Sequence, residues 1–268
     1  MKRLIGVLLT FPSLTFCQTW ANQDVIPLNR TAYSKNKTTQ IGQTDIPALQ
    51  GFQHNIEVGL AIENKYSIKE LTTLGLGIGI PVLNGYMGLN TSLQGNTLFS
   101  NYSGNLSYGI QINKQTTLGI GCGILFQNIK GYGSEKNIQV SAGIAHLINE
   151  KTMFAFHYQL TQNIGTITFA NKSKIEGLTL GIGYHLSKSV FIQLEAKKVQ
   201  QQFRIIPNIT WSPFEKIGFW CGTNGSGHLH LGIISALKKS KLMLGFSNHP
   251  HLGYSMLLQF NYRLDDKN

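Results

Sequence analysis

Alternation with a period of two runs through most of the chain. From Phe52 onward, segments of roughly ten residues place apolar side chains on every second position and small or polar ones between them, with turns rich in Asn, Gly, Ser and Lys separating the segments. Successive side chains of a strand point to opposite faces, so each segment has a greasy side and a polar side. Leu74, Leu76, Ile78 and Ile80 share one face; Thr73, Gly75, Gly77 and Gly79 share the other. The same arrangement sets Leu106, Tyr108, Ile110 and Ile112 against Ser107, Gly109, Gln111 and Asn113. It also sets Leu118, Ile120, Cys122, Ile124 and Phe126 against Thr117, Gly119, Gly121 and Gly123. It returns in Phe154 to Leu160, in Leu178 to His185 and in Val190 to Lys197, while helical spacing fits almost nowhere.

Fourteen segments are expected, beginning near residues 52, 69, 86, 103, 116, 136, 152, 175, 190, 203, 217, 228, 241 and 253. An even number suits a closed antiparallel transmembrane β-barrel, in which tight turns alternate with longer external links. Pro81 to Gly85, Asn113 to Gln115, Asn149 to Lys151, Ser187 to Ser189, Pro213 to Lys216 and Lys238 to Lys241 read as the tight set. Gly95 to Tyr102, Asn128 to Glu135, Gln162 to Lys174, Thr223 to Gly227 and Ser247 to Gly253 read as the longer one. With both termini periplasmic, the tight turns all fall on the periplasmic side. The last segment brackets an apolar stripe between Tyr254 and Tyr262, as a strand does whose ends lie at two lipid–water interfaces.

The polar faces decide between lipid and water as the outer medium. They are rich in Gly, Ser, Thr, Gln and Asn and poor in charge, which suits the interior of a closed sheet; a soluble barrel or sandwich, the alternative, turns charges to solvent. Four charges, Glu57, Glu63, Glu195 and Lys197, are expected on the inward face, either paired across the lumen or lining a path for a solute. No run of 18 apolar residues follows the first segment, so no helix of that kind is expected to span a bilayer.

Met1 to Cys17 has a basic start, a short apolar run and small residues before Gln18, and reads as a secretory signal peptide, residues 1–17. Leu14-Thr-Phe-Cys17 also has the outline of a lipoprotein box with Cys17 as the lipidated residue. Residues 18–51 lack sustained alternation and form a polar N-terminal segment that is either a luminal plug or a solvated tail; 52–268 is the barrel. The inward glycines Gly75, Gly77, Gly79, Gly119, Gly121, Gly123, Gly181 and Gly183 favour close approach of another backbone.

Composition narrows the function classes. Only 13% of the 268 residues are charged, and 23 Lys+Arg against 12 Asp+Glu leave a net charge of +11. The cations are scattered with no basic block, so nucleic acid is not expected as a partner, whereas outer-membrane lipid is. With Cys122 and Cys221 the only cysteines after Cys17, stability is expected from backbone pairing rather than disulfides.

Candidate chemistry is sparse. His228-Leu-His230 and His249-Pro-His251 each carry two imidazoles at a spacing that a transition metal accepts, but no third and fourth ligand is evident, and polar lining is the simpler reading. There is no Gly-x-Ser-x-Gly elbow and no Gly-x-x-x-x-Gly-Lys loop. No catalytic residue, cofactor or metal is therefore assigned, and a non-enzymatic protein is expected.

Gly59 to Leu71 running into Leu74 to Pro81, and Asn248-His-Pro-His-Leu-Gly-Tyr-Ser255 before the final strand, resemble the PorV/PorQ group of FadL-like outer-membrane barrels of Bacteroidota. The layout of signal, polar lead and fourteen strands resembles that group over nearly the whole chain. The resemblance implies a place in the bacterial outer membrane and an accessory or shuttle role in type IX protein secretion, with secreted proteins or other secretion components as partners. The alternative is a passive or FadL-like transport channel for small or hydrophobic solutes.

Overall fold

A computed structural model describes residues 46–164, 174–223, 229–249 and 252–264. Fourteen strands follow one another: β1 Ile56–Asn64, β2 Thr72–Val82, β3 Gly85–Gly95, β4 Phe99–Gln111, β5 Thr116–Ile129, β6 Gly133–Leu147 and β7 Thr152–Asn163. They continue as β8 Lys174–His185, β9 Val190–Val199, β10 Gln202–Phe214, β11 Ile217–Thr223, β12 Leu229–Ala236, β13 Ser240–His249 and β14 Gly253–Leu264. Each pairs antiparallel with its sequence neighbours, and β14 pairs back onto β1 to close a barrel. Closure removes every sheet edge, the condition for strands to survive in hydrocarbon.

Alternation translates directly into burial. Along β14, Ser255, Leu257, Gln259 and Asn261 are buried while Tyr254, Met256, Leu258, Phe260 and Tyr262 are exposed, and the other strands repeat the pattern. Exposed apolar side chains cover the outside, and Gln, Asn, Ser, Thr and Glu are buried within. Aromatic residues gather near the two ends of the outer surface: Tyr102, Phe203 and Tyr254 at the end carrying the β1–β2 link, Phe154, Tyr184, Trp211 and Tyr262 at the other. This is an inside-out globule, with the greasy surface and aromatic girdles of a lipid-embedded barrel.

The ladder fixes the stagger. From Glu57 on β1, inward positions pair through Gly79, Gly88, Ser107, Gly121, Ser141, Gln159 and Gly177 to Val199 on β9. The other way round, Glu63 connects through Leu257, Gly245, Gly232, Trp220 and Thr210 to Phe191. The two paths lie six residues apart on β1 and eight on β9, so one circuit climbs fourteen residues. With standard strand spacings, that stagger tilts the strands by about 35° and sets opposite backbones about 26 Å apart. Eight strands enclose space that side chains just fill; fourteen leave room for more.

Part of that room is taken by the chain itself. Pro47–Phe52 forms a 3-10 helix that is buried throughout and packs on β3, β4, β5 and β6. Its seat is the glycine-rich wall. A Cβ on Gly119 would run into the backbone of Pro47 and Ala48, and one on Gly109 would lie 2.5 Å from the Gly51 nitrogen. The Gln50 amide donates to Ser107 Oγ at 2.7 Å, and that hydroxyl donates to the Gly88 carbonyl at 3.2 Å. Ile46, Ala48, Leu49 and Phe52 join Ala145, Leu147, Met153, Ala155 and Phe191 in one apolar cluster inside the barrel.

Three expectations need correction. The first strand starts at Ile56 rather than 52, because Phe52 closes the luminal helix. Ile112 belongs to the β4–β5 turn, where the Asn113 side chain accepts from the Thr116 nitrogen at 2.7 Å and ends the alternation. Two of the links expected to be longer are short: β4 reaches back to Phe99 and β6 to Gly133, which leaves residues 96–98 and 130–132 between strands. Asn101 and Glu135, expected within links, sit on the inward face of long strands. The signal segment 1–17, Cys17 and residues 18–45 lie outside the described residues.

Candidate functional site

Among the described residues, polar groups from many strands converge in the lumen, which divides into distinct walls. On β2–β6 many inward positions are Gly, Ser or Thr, and the luminal helix covers part of them. Gly119 meets the backbone of Pro47 and Ala48, as the expected approach of another backbone requires; Gly121 instead faces Ser141 Oγ and the Pro47 ring, Gly79 lies under the Tyr86 ring and Gly123 faces Gly104 and Asn105. Of the remaining inward glycines, Gly109 also seats the helix, although the alternation had singled it out only as a polar-face position.

All four expected inward charges are buried or half-buried on that face. Glu57 and Arg263 are direct partners across the β1–β14 seam, with Lys241 one strand farther on. Glu195 and Lys197 alternate inward along β9, and Arg204 of β10 is the cross-strand partner of Lys197. A further acid, Glu135 on β6, accepts from the Asn163 amide at 2.9 Å and the Asn137 amide at 3.2 Å. A buried charge is costly unless an opposite charge or hydrogen bonds meet it, as Arg263 and Lys241 do for Glu57 and the two amides do for Glu135, whereas Lys197 and Arg204 are like charges on adjacent strands. Arg204 stands at an alternating position within an expected segment, whereas Glu135, Lys241 and Arg263 fall in stretches expected as links or as the tail after the last strand, and it is the length of β6, β13 and β14 that brings them onto the inward face.

Neither His pair is assembled by the described residues. His230 is buried on the inward face of β12 with Leu229 and Leu231 outward, as expected, and the His249 ring stands edge-on to Tyr66 with centroids 5.5 Å apart. His249 Nδ1 accepts from the Leu252 nitrogen at 3.1 Å. His228 and His251 lie outside the described residues, and among those described no group of three His, Cys, Asp or Glu side chains is placed to hold a metal. Cys122 faces outward on the apolar side, as the alternation predicts, and neither Cys122 nor Cys221 forms a disulfide.

A second apolar patch faces the lumen on β11–β14, built from Trp220, Ile234, Met243 and Leu257 with Ala61 of β1 against it. The interior thus combines a helix, ionic clusters and two greasy patches within an otherwise neutral polar lining.

No family model matches the sequence, and no curated protein does. The fold is similar to solved outer-membrane barrels. The toluene transporter TodX of Pseudomonas putida superposes with a TM-score of 0.56 at 10% identity, covering 86% of this chain and 95% of its own. The toluene transporter TbuX of Ralstonia pickettii gives 0.57 at 9% identity, covering 82% and 92%. The monoaromatic hydrocarbon channel CymD gives 0.53 at 10% identity, covering 83% and 92%. At such identities the likeness speaks for the fold alone. Together with the apolar exterior, the aromatic girdles and the closed ladder, it makes this chain a fourteen-stranded β-barrel of the bacterial outer membrane.

Proposed function

We propose that the chain is a transport channel through which small neutral or hydrophobic solutes cross the outer membrane. The observation that carries the reading is the wide, fourteen-stranded lumen with greasy patches on its wall, narrowed by a short luminal helix. Transporters and channels for aromatic hydrocarbons share this architecture, which supports the reading. The luminal helix acts as a constriction: Leu49 and Phe52 fill space between the β3–β6 wall and Phe191, so a solute entering from outside has to pass or displace them.

The test is single-channel conductance and proteoliposome swelling with the full chain, beside a Leu49→Asp/Phe52→Asp variant whose helix no longer seats in an apolar cluster. Swelling by small neutral solutes, increased in the variant, is the expected result. A folded barrel that neither conducts nor swells liposomes, and that copurifies in fixed proportion with another protein, would overturn the reading in favour of the secretion role implied by the PorV/PorQ resemblance.

A further inference from the structure

Resting on the channel reading, we infer that the inner wall of β9–β11 is a solute-binding station for an uncharged molecule with a flat apolar body and one hydroxyl or carbonyl group. Gln193 and Asn208 are direct cross-strand partners, and both face inward. Gln193 is 1% exposed and Asn208 9%, and none of their four side-chain nitrogen and oxygen atoms has a hydrogen-bond partner. Trp220, on the neighbouring strand and one inward position nearer the periplasm, is 5% exposed and leaves its Nε1 without a partner as well. Buried polar atoms of folded proteins are paired almost without exception, and an unpaired group bears its full desolvation penalty. Three such side chains side by side mark a place where something else supplies the partners.

Two glycines set the wall's shape. A Cβ on Gly222 would collide with the Asn208 amide, and one on Gly232 with the Trp220 indole. Both side chains therefore lie over their neighbours' backbone and line the barrel wall. The station faces the luminal helix across the barrel, since β10 and β11 lie half a circuit from β3–β6.

The surroundings specify the occupant. Phe191 and Thr210 share Trp220's level, so an aromatic surface borders the amides on the periplasmic side. At the amides' own level the row runs on through Gly222 to the inward His230 of β12, an imidazole, with no carboxylate or ammonium group on β9–β12. The next inward position toward the outer mouth holds Glu195 beside Ile206 and the one beyond it Lys197 beside Arg204, so charges of both signs lie on that side, one level or more from the amides. An amide offers both donor and acceptor, and so pairs a hydroxyl in either sense. A pure hydrocarbon would leave all three side chains unpaired.

The experiment compares p-cresol with toluene, which lacks only the hydroxyl, and with benzoate as the anion. Trp20→Phe/Trp211→Phe protein in detergent retains Trp220 as its single tryptophan, and binding is read from Trp220 emission. The expected result is half-saturation by p-cresol at a concentration at least about tenfold below that for toluene, the discrimination available to a site built around a hydroxyl. Gln193→Leu/Asn208→Leu should bring that ratio to about one while the heat-modifiable gel shift persists, because Leu relieves unpaired amides. Should that pair prevent folding, Trp220→Phe, read by equilibrium dialysis, keeps the ring plane and should weaken p-cresol alone. Equal binding of the two ligands by the parent protein, a ratio untouched by both variants, or tighter binding of benzoate would each overturn the inference. A protein that conducts without discriminating refutes the station and leaves the channel; one that binds p-cresol but neither conducts nor swells liposomes refutes the channel.

Discussion

Placing a methyl group on Gly119 tests whether the luminal helix is held by its glycine seat. The added Cβ meets main-chain atoms of Pro47 and Ala48, which no side-chain rotation can clear. The helix must lift or the β5 backbone must bend, and overpacking of this kind costs about 1–3 kcal/mol. Burial of Leu49 and Phe52, worth about 1.5–3 kcal/mol each, favours the seated helix, so a penalty of this size removes a substantial share of what holds it. Gly119→Ala should therefore raise the population of the lifted helix roughly 5- to 150-fold, the range that 1–3 kcal/mol spans. The assay is modification of Leu49→Cys by a bulky water-soluble maleimide, in a background where Cys17, Cys122 and Cys221 are Ser. Leu49 is 2% exposed and its replacement should react slowly until the seat is disturbed. Gly104→Ala is the control, since nothing lies within 4 Å of a Cβ placed there. Equal labelling rates in the Gly119→Ala and control proteins would refute the glycine seat, and with it the constriction drawn from it.

Other consequences follow from the same geometry. Ile124 points outward near the middle of β5, so Ile124→Arg should destabilise the barrel by about 2–4 kcal/mol in lipid, while Asn105→Arg, on the inward face of the adjacent strand, should cost less; refolding titrations into vesicles measure both. Arg263→Leu removes the cross-seam partner of Glu57 and should lower the melting temperature, and adding Glu57→Gln should recover much of the loss; additive effects of the two changes would deny the coupling. Extracted in detergent, the protein should migrate differently before and after boiling, and an unchanged band would count against a closed barrel.

The faces of the strands were legible from the residues alone because alternation is local: neighbouring side chains point opposite ways whatever the rest of the chain does. Leu118 to Phe126 showed which side meets lipid, and Glu57, Glu63, Glu195 and Lys197 fell inward for the same reason. The number of strands followed from counting such segments. The Pro47–Phe52 helix was not legible as a helix, since an element enclosed inside a tube has no polar face to give it a helical period, and its six residues are too few for one to emerge.

What only the tertiary structure decided is which inward residues meet. Pairing Glu57 with Arg263 requires the first strand to find the last, and the row from Gln193 to Asn208, with Trp220 beside it, depends on register across three strands. Shifting one strand by two residues along its neighbour leaves every face unchanged and alters every partner. Stagger is set by the hydrogen-bonded ladder as a whole and by its closure, so alternation within a segment specified the lining of the lumen but not its sites.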